Sequence, residues 1–141
     1  MANCLVIEIN WFDEHLVELS LKARNGIFSG QTKLFANHSE LNEMGDKLSG
    51  FPVPSEFETA TFNLGTFDPA YTGGGASFTM KVIDSSGHIE VEVKLLSNSE
   101  ESKGMVSLTT FVEPAAIDIF CDQLKRIKLE NGNSATLTFV T

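Results

Sequence analysis

Leu34-Phe35-Ala36-Asn37-His38-Ser39-Glu40-Leu41 and Thr110-Phe111-Val112-Glu113-Pro114-Ala115-Ala116-Ile117 read as one passage written twice, 76 positions apart. In each, an alternating stretch ends on Phe and one more residue, and the period then lengthens from two to between three and four. That change marks a strand entering a helix. Phe35 pairs with Phe111, Leu41 with Ile117, Met44 with Phe120 and Leu48 with Leu124, all at the same offset. An internal duplication would produce this agreement, and so would the shared grammar of strand-to-helix junctions.

Both junctions carry helix-start signals. Asn37 is a favoured N-cap with Glu40 three residues on, the spacing of a capping box. Pro114 suits a first helical position. The first helix presents Leu41, Met44 and Leu48 on one stripe, with Gly50 at its exit and Pro52 and Pro54 blocking continuation. The second presents Ile117, Phe120, Cys121 and Leu124.

Working outward, the remaining segments alternate with period two. Leu5, Ile7 and Ile9 share one strand face, and Val17, Leu19, Leu21 and Ala23 another. Asn25-Gly26 turns residues 16–36 into a hairpin whose second strand is Ile27–Ala36. Trp11-Phe12-Asp13-Glu14 links the first two strands, with its aromatics either capping the core or exposed. Ala60, Phe62 and Leu64 form a fourth run, and Phe78, Met80 and Val82 a fifth. His88–Leu96 points Ile89, Val91, Val93 and Leu95 inward and Glu90, Glu92 and Lys94 outward. Met105–Val112 precedes the second helix, and Ala135, Leu137 and Phe139 end the chain. The fold class is therefore α+β: a mostly antiparallel sheet of seven or eight strands with two amphipathic helices on one side, in the order βββα-ββββαβ. One domain spans 1–141, with pseudo-repeat halves of about 1–54 and 55–141.

Composition bounds function by exclusion. The 141 residues carry 10 Lys+Arg against 19 Asp+Glu, a net charge of −9. Phosphate backbones and anionic membrane surfaces are bound by clustered cations, so nucleic acid is an unlikely partner and a membrane is not expected. A basic protein partner suits this charge, although negative charge also simply favours solubility. Cys4 and Cys121 sit in apolar patterns, as buried free thiols do. The opening MANCLVIEINWFDEHL lacks a basic leader and is broken by Glu8, which points to a cytoplasmic protein.

Catalytic and cofactor patterns do not emerge. Gly73-Gly74-Gly75 leads into a strand rather than a helix, so it reads as a flexible hairpin tip and not a phosphate loop. His15, His38 and His88 lack the close spacing of metal ligands. No serine elbow is present, and Cys121 lies on an apolar helical stripe. The chain reads as non-enzymatic, with no cofactor. What remains is an acidic, aromatic-tipped strand surface. Trp11, Asp13, Glu14, Glu18, Glu90 and Glu92 are the candidate partner-binding residues, with Glu8 alternating out beside them. A plain solvated sheet face accounts for the same residues.

Three segments, GIFSGQTKLFA (26–36), HIEVEVKL (88–95) and EPAAIDIFCDQL (113–124), give the chain a resemblance to a family of small bacterial proteins of unknown function. Those proteins are similar to immunity proteins of polymorphic toxin systems. The resemblance implies a bacterial, non-enzymatic protein, and with the acidic charge it suggests an inhibitor that occludes a basic toxin domain. It assigns no binding residue, because its motifs are structural. The alternative from the residues is a small-ligand or single-strand nucleic-acid module, with a groove framed between the halves.

Overall fold

The computed structural model describes residues 2–51, 59–68, 70–71 and 73–140; Pro52, Pro54 and Pro69 lie outside them. The fold is α+β. Among the described residues, eight antiparallel strands and two helices run in the order βββα-ββββαβ: β1 (Cys4–Phe12), β2 (Leu16–Asn25), β3 (Phe28–Asn37), α1 (Glu40–Leu48), β4 (Thr59–Gly65), β5 (Gly73–Val82), β6 (Ile89–Asn98), β7 (Lys103–Val112), α2 (Pro114–Arg126) and β8 (Ser134–Thr138).

The strands divide into two four-stranded sheets rather than forming one. Sheet A has the order β3-β2-β1-β8 and sheet B the order β4-β5-β6-β7. The last strand therefore leaves the second half of the chain and pairs with β1, Leu5 against Leu137 and Ile7 against Ala135. With β8 counted in, each half is the same unit, a four-stranded meander followed by a helix. Sheet A therefore draws its strands from both halves of the chain.

Equivalent positions also meet. The Cys121 thiol donates to the carbonyl of Gly45 at 3.1 Å, and Lys125 Nζ donates to Ser49 Oγ at 2.8 Å. Both pairs carry the 76-residue offset of the repeated passage. Asp13 Oδ1 accepts the N–H of Leu16 to launch β2, and Asp84 Oδ1 accepts that of His88 just before β6. The two helices thus pack in the register of the repeated passage.

The inward faces of both sheets and the stripes of α1 and α2 form one apolar cluster. Each strand contributes alternate side chains, as a sheet with one wet face requires. The sheets approach closely at Gly30, where a Cβ would run into Val106 of β7, and at the glycine run, which is the start of β5 and not a free tip. A Cβ on Gly74 would collide with the carbonyl oxygen of Lys33. Only glycine lets the edge of sheet A pass this near to β5. Gly45 serves the helix pair in the same way, since a Cβ there would meet the backbone N of Lys125 at 2.8 Å.

Three local readings shift. The β2–β3 turn centres on Gly26-Ile27, because Asn25 pairs with Phe28, and this leaves Ile27 93% exposed. The α1 N-cap is Ser39, whose N–H donates to Asn37 Oδ1, while Glu40 Oε2 accepts the Asn37 N–H. The side chains of the proposed box are engaged, but the helix starts two residues later. Trp11 and Phe12 belong to β1 and not to the connection after it.

Candidate functional site

The site is built by a bulge. Along β1, Leu5, Ile7 and Ile9 face the core, and unbroken alternation would send Trp11 after them. The β1–β2 register shifts between Ile9 and Trp11, so Ile9 stands opposite Leu19 and Trp11 opposite Glu18. One extra residue, Asn10, re-aims the strand. Trp11 is consequently 46% exposed on the outer face.

Across β2 the row continues, because Glu18 stands opposite Phe35 in β3, itself 47% exposed. Trp11, Glu18 and Phe35 thus form one cross-strand line, a carboxylate between two aromatic rings. Asn10 Nδ2 reaches Glu18 Oε1 at 3.5 Å. Phe12 and Leu16 are exposed at the same end of the sheet.

Asp13 and Glu14 form the β1–β2 connection at the end of this row, both exposed. Asp13 Oδ1 accepts the N–H groups of Leu16 and His15 at 2.8 Å each. Those bonds, Leu16's first, hold the Asp13 carboxyl below its ordinary value of 3.8. Asp13 is therefore a turn-former as well as a charge. His38 Nε2 donates to the Asp13 carbonyl at 2.7 Å, tying this turn to the β3–α1 junction.

Beside the row lies a groove of about 580 Å³. Glu18, Lys33 and Phe35 form its floor on sheet A, and Ser97, Ser99 and Ser102 of the β6–β7 hairpin form a wall. The groove therefore runs between the two halves. A second cavity of about 430 Å³ adjoins it, sharing Phe35 and Gly73 and adding Glu40 and Tyr71.

Glu90 and Glu92 lie elsewhere. They are half-buried on the outer face of sheet B, where Glu90 stands between Lys81 and Phe111 in register. Glu92 is 3.5 Å from Lys94. The structure thus brings Trp11, Asp13, Glu14 and Glu18 together and places Glu90 and Glu92 on the other sheet. Nor is sheet A's outer face uniformly acidic: Lys22 and Arg24 lie toward the β2–β3 turn, and Lys33 stands across Ser20 from Glu8 and beside Glu18 at the groove.

Sequence spacing misses two features. Phe35 and Glu40 flank the junction of the repeated passage, yet their place at the grooves depends on sheet B. His88 sits between two carboxylates, with Nδ1 2.6 Å from Asp84 Oδ2 and Nε2 3.3 Å from Glu113 Oε2. Asp84, and then Glu113, raise the His88 pKa above its ordinary 6.5, and the hydrogen bond to His88 lowers that of Asp84. This cluster ties the β5–β6 turn to the start of α2. Burial raises the Cys121 thiol, so it stays protonated as a hydrogen-bond donor. No helix among the described residues is long and apolar enough to cross a membrane.

Comparison of the chain with protein-family models, curated proteins and solved structures found no match.

Proposed function

We propose that this chain is a non-enzymatic protein-binding module of the cytoplasm, an immunity-type inhibitor that docks a basic bacterial toxin domain on the outer face of sheet A. The observation that carries the reading is the Trp11–Glu18–Phe35 row with Asp13 and Glu14 at its end. Interface hot spots are rigid, exposed aromatics at the centre of a polar rim. Two rings held on paired strands meet that description at little entropic cost. The surrounding carboxylates, within a net charge of −9, would speed encounter with a cationic partner and disfavour acidic ones. Inhibition would be steric, by occlusion of the toxin.

Co-expression with the toxin-like product of a neighbouring gene tests this directly. The intact chain should protect the cell and co-purify with that product, in a complex weakened by salt. Trp11→Ala and Phe35→Ala should abolish protection without unfolding the chain. Protection that survives both substitutions would remove sheet A from the interface.

The groove between the halves favours a second reading, a small-ligand or single-strand nucleic-acid module. Its volume falls in the usual range for ligand sites. Lys33 is the one cation among its lining residues, whereas single-strand binding calls for a basic track along the backbone. A thermal-shift screen with nucleotides and oligonucleotides separates the readings. A clear oligonucleotide shift would reverse their order.

A further inference from the structure

Phe35 partitions the two cavities, and the smaller one has a distinct chemistry. It is lined by Phe35, Glu40, Thr66, Tyr71 and three glycines. Among the described residues, no Lys or Arg lines it. Two aromatic faces and one carboxylate around about 430 Å³ make a container for a cation.

The Glu40 carboxylate and the Tyr71 backbone are anchored before anything binds. Glu40 Oε2 accepts the Asn37 N–H at 2.6 Å, which orients the carboxylate at the start of α1. Tyr71 is 63% exposed, but its N–H donates to Asp68 O at 3.2 Å and its carbonyl accepts from Asn98 Nδ2 at 2.7 Å. Phe35 projects from a paired strand. A site of this kind loses little freedom on binding.

We propose that this cavity receives an arginine side chain from a basic protein partner. A guanidinium is planar and weakly hydrated, so it can stack on Phe35 or Tyr71 while donating to Glu40. An ammonium is compact and more strongly hydrated, and gives up more on entering. The inference rests on the docking reading above and adds the chemistry of one contact: sheet A's row supplies anchors from this chain, and the cavity accepts one from the partner.

The test is an NMR titration of the full chain with the peptide acetyl-Gly-Arg-Gly-amide. Controls are the same peptide with lysine and with citrulline, which keeps the shape of arginine and lacks its charge. The arginine peptide should shift the amides of Phe35, Glu40 and Tyr71. The citrulline peptide should bind about threefold or more weakly, with lysine between the two. Glu40→Gln retains an acceptor for the Asn37 N–H, so helix α1 keeps its start while binding falls by a similar factor. Glu92→Gln, on sheet B, should change nothing. Equal binding of citrulline and arginine, or shifts confined to sheet B, would overturn the proposal. Suppose instead that the arginine peptide leaves the spectrum unmoved while a basic partner still binds through Trp11. That result discards the cavity assignment and spares the docking face.

Discussion

The two sheets are built alike and differ at the row proposed here for recognition. On sheet A the outer row reads Trp11–Glu18–Phe35, and on sheet B the equivalent row reads Lys81–Glu90–Phe111. The two rows share a carboxylate and a phenylalanine, Phe35 and Phe111 being matched in the repeated passage. The difference is made in the strand beside the carboxylate, where sheet A carries a bulge and an indole while sheet B continues in plain register with a lysine. Glu90 stands beside Lys81 in register. Glu18 stands between two rings, with Lys33 near it on the groove floor. The two sheets also close differently at their β3 and β7 edges: Phe35 opens onto grooves, whereas the carbonyl of Phe111 accepts the N–H of Val140 from the chain end.

The largest expected effect comes from forcing the sheets apart. Gly74→Val places a side chain against the Lys33 carbonyl, and should cost roughly 2–4 kcal/mol in urea unfolding. A neutral outcome would mean that the sheets do not close over β5. Next in size is the asymmetry of recognition. Trp11→Ala or Phe35→Ala should each weaken partner binding by about 2 kcal/mol in calorimetry, and Phe111→Ala by less than about 0.5. Equal losses at Phe35 and Phe111 would erase the distinction between the sheets.

Charge at the turns gives a smaller, pH-dependent contrast. The folded-state pKa of His88 lies above 6.5, so its contribution is complete below the unfolded-state value and is lost as pH rises through the folded-state one. Asp13 behaves in the opposite sense: held below 3.8, it stabilises above that pH and loses its effect as pH falls. His88→Gln should therefore flatten the decline of the urea midpoint on the alkaline side of 6.5. Asp13→Asn should alter only the acid side. An alkaline decline that persists in His88→Gln would show that the cluster on sheet B does not hold its turn. Smallest of all, Glu92→Gln removes a solvent-facing pair with Lys94 and should change stability by no more than about 0.5 kcal/mol.

Much of the fold was legible because burial on one side imposes a period. Leu5, Ile7 and Ile9, or Ile89, Val91, Val93 and Leu95, announce a wet face and a dry face wherever they occur. The helices announced themselves by the change of period after Phe35 and Phe111. The grouping of strands into two sheets was not legible, since alternation records which way a side chain points and not which strand lies beside it. Gly74 shows the same limit: in sequence it resembled a flexible tip, and its reason is a carbonyl on a strand some forty residues earlier. Four of the candidate contacts, Trp11, Asp13, Glu14 and Glu18, fell together because they are neighbours on one hairpin. Glu90 and Glu92 shared their chemistry but not their sheet.

By itself, then, the sequence determined the element types, their order and the outward aim of Glu18, Glu90 and Glu92, all of which depend on local period and turn chemistry. Only the tertiary structure decided that β8 completes the first sheet, that Phe35 stands between two cavities, and that Trp11 faces solvent. The last of these turns on one extra residue in β1. An alternating pattern cannot reveal a bulge, because the register it breaks exists only once a second strand is paired alongside.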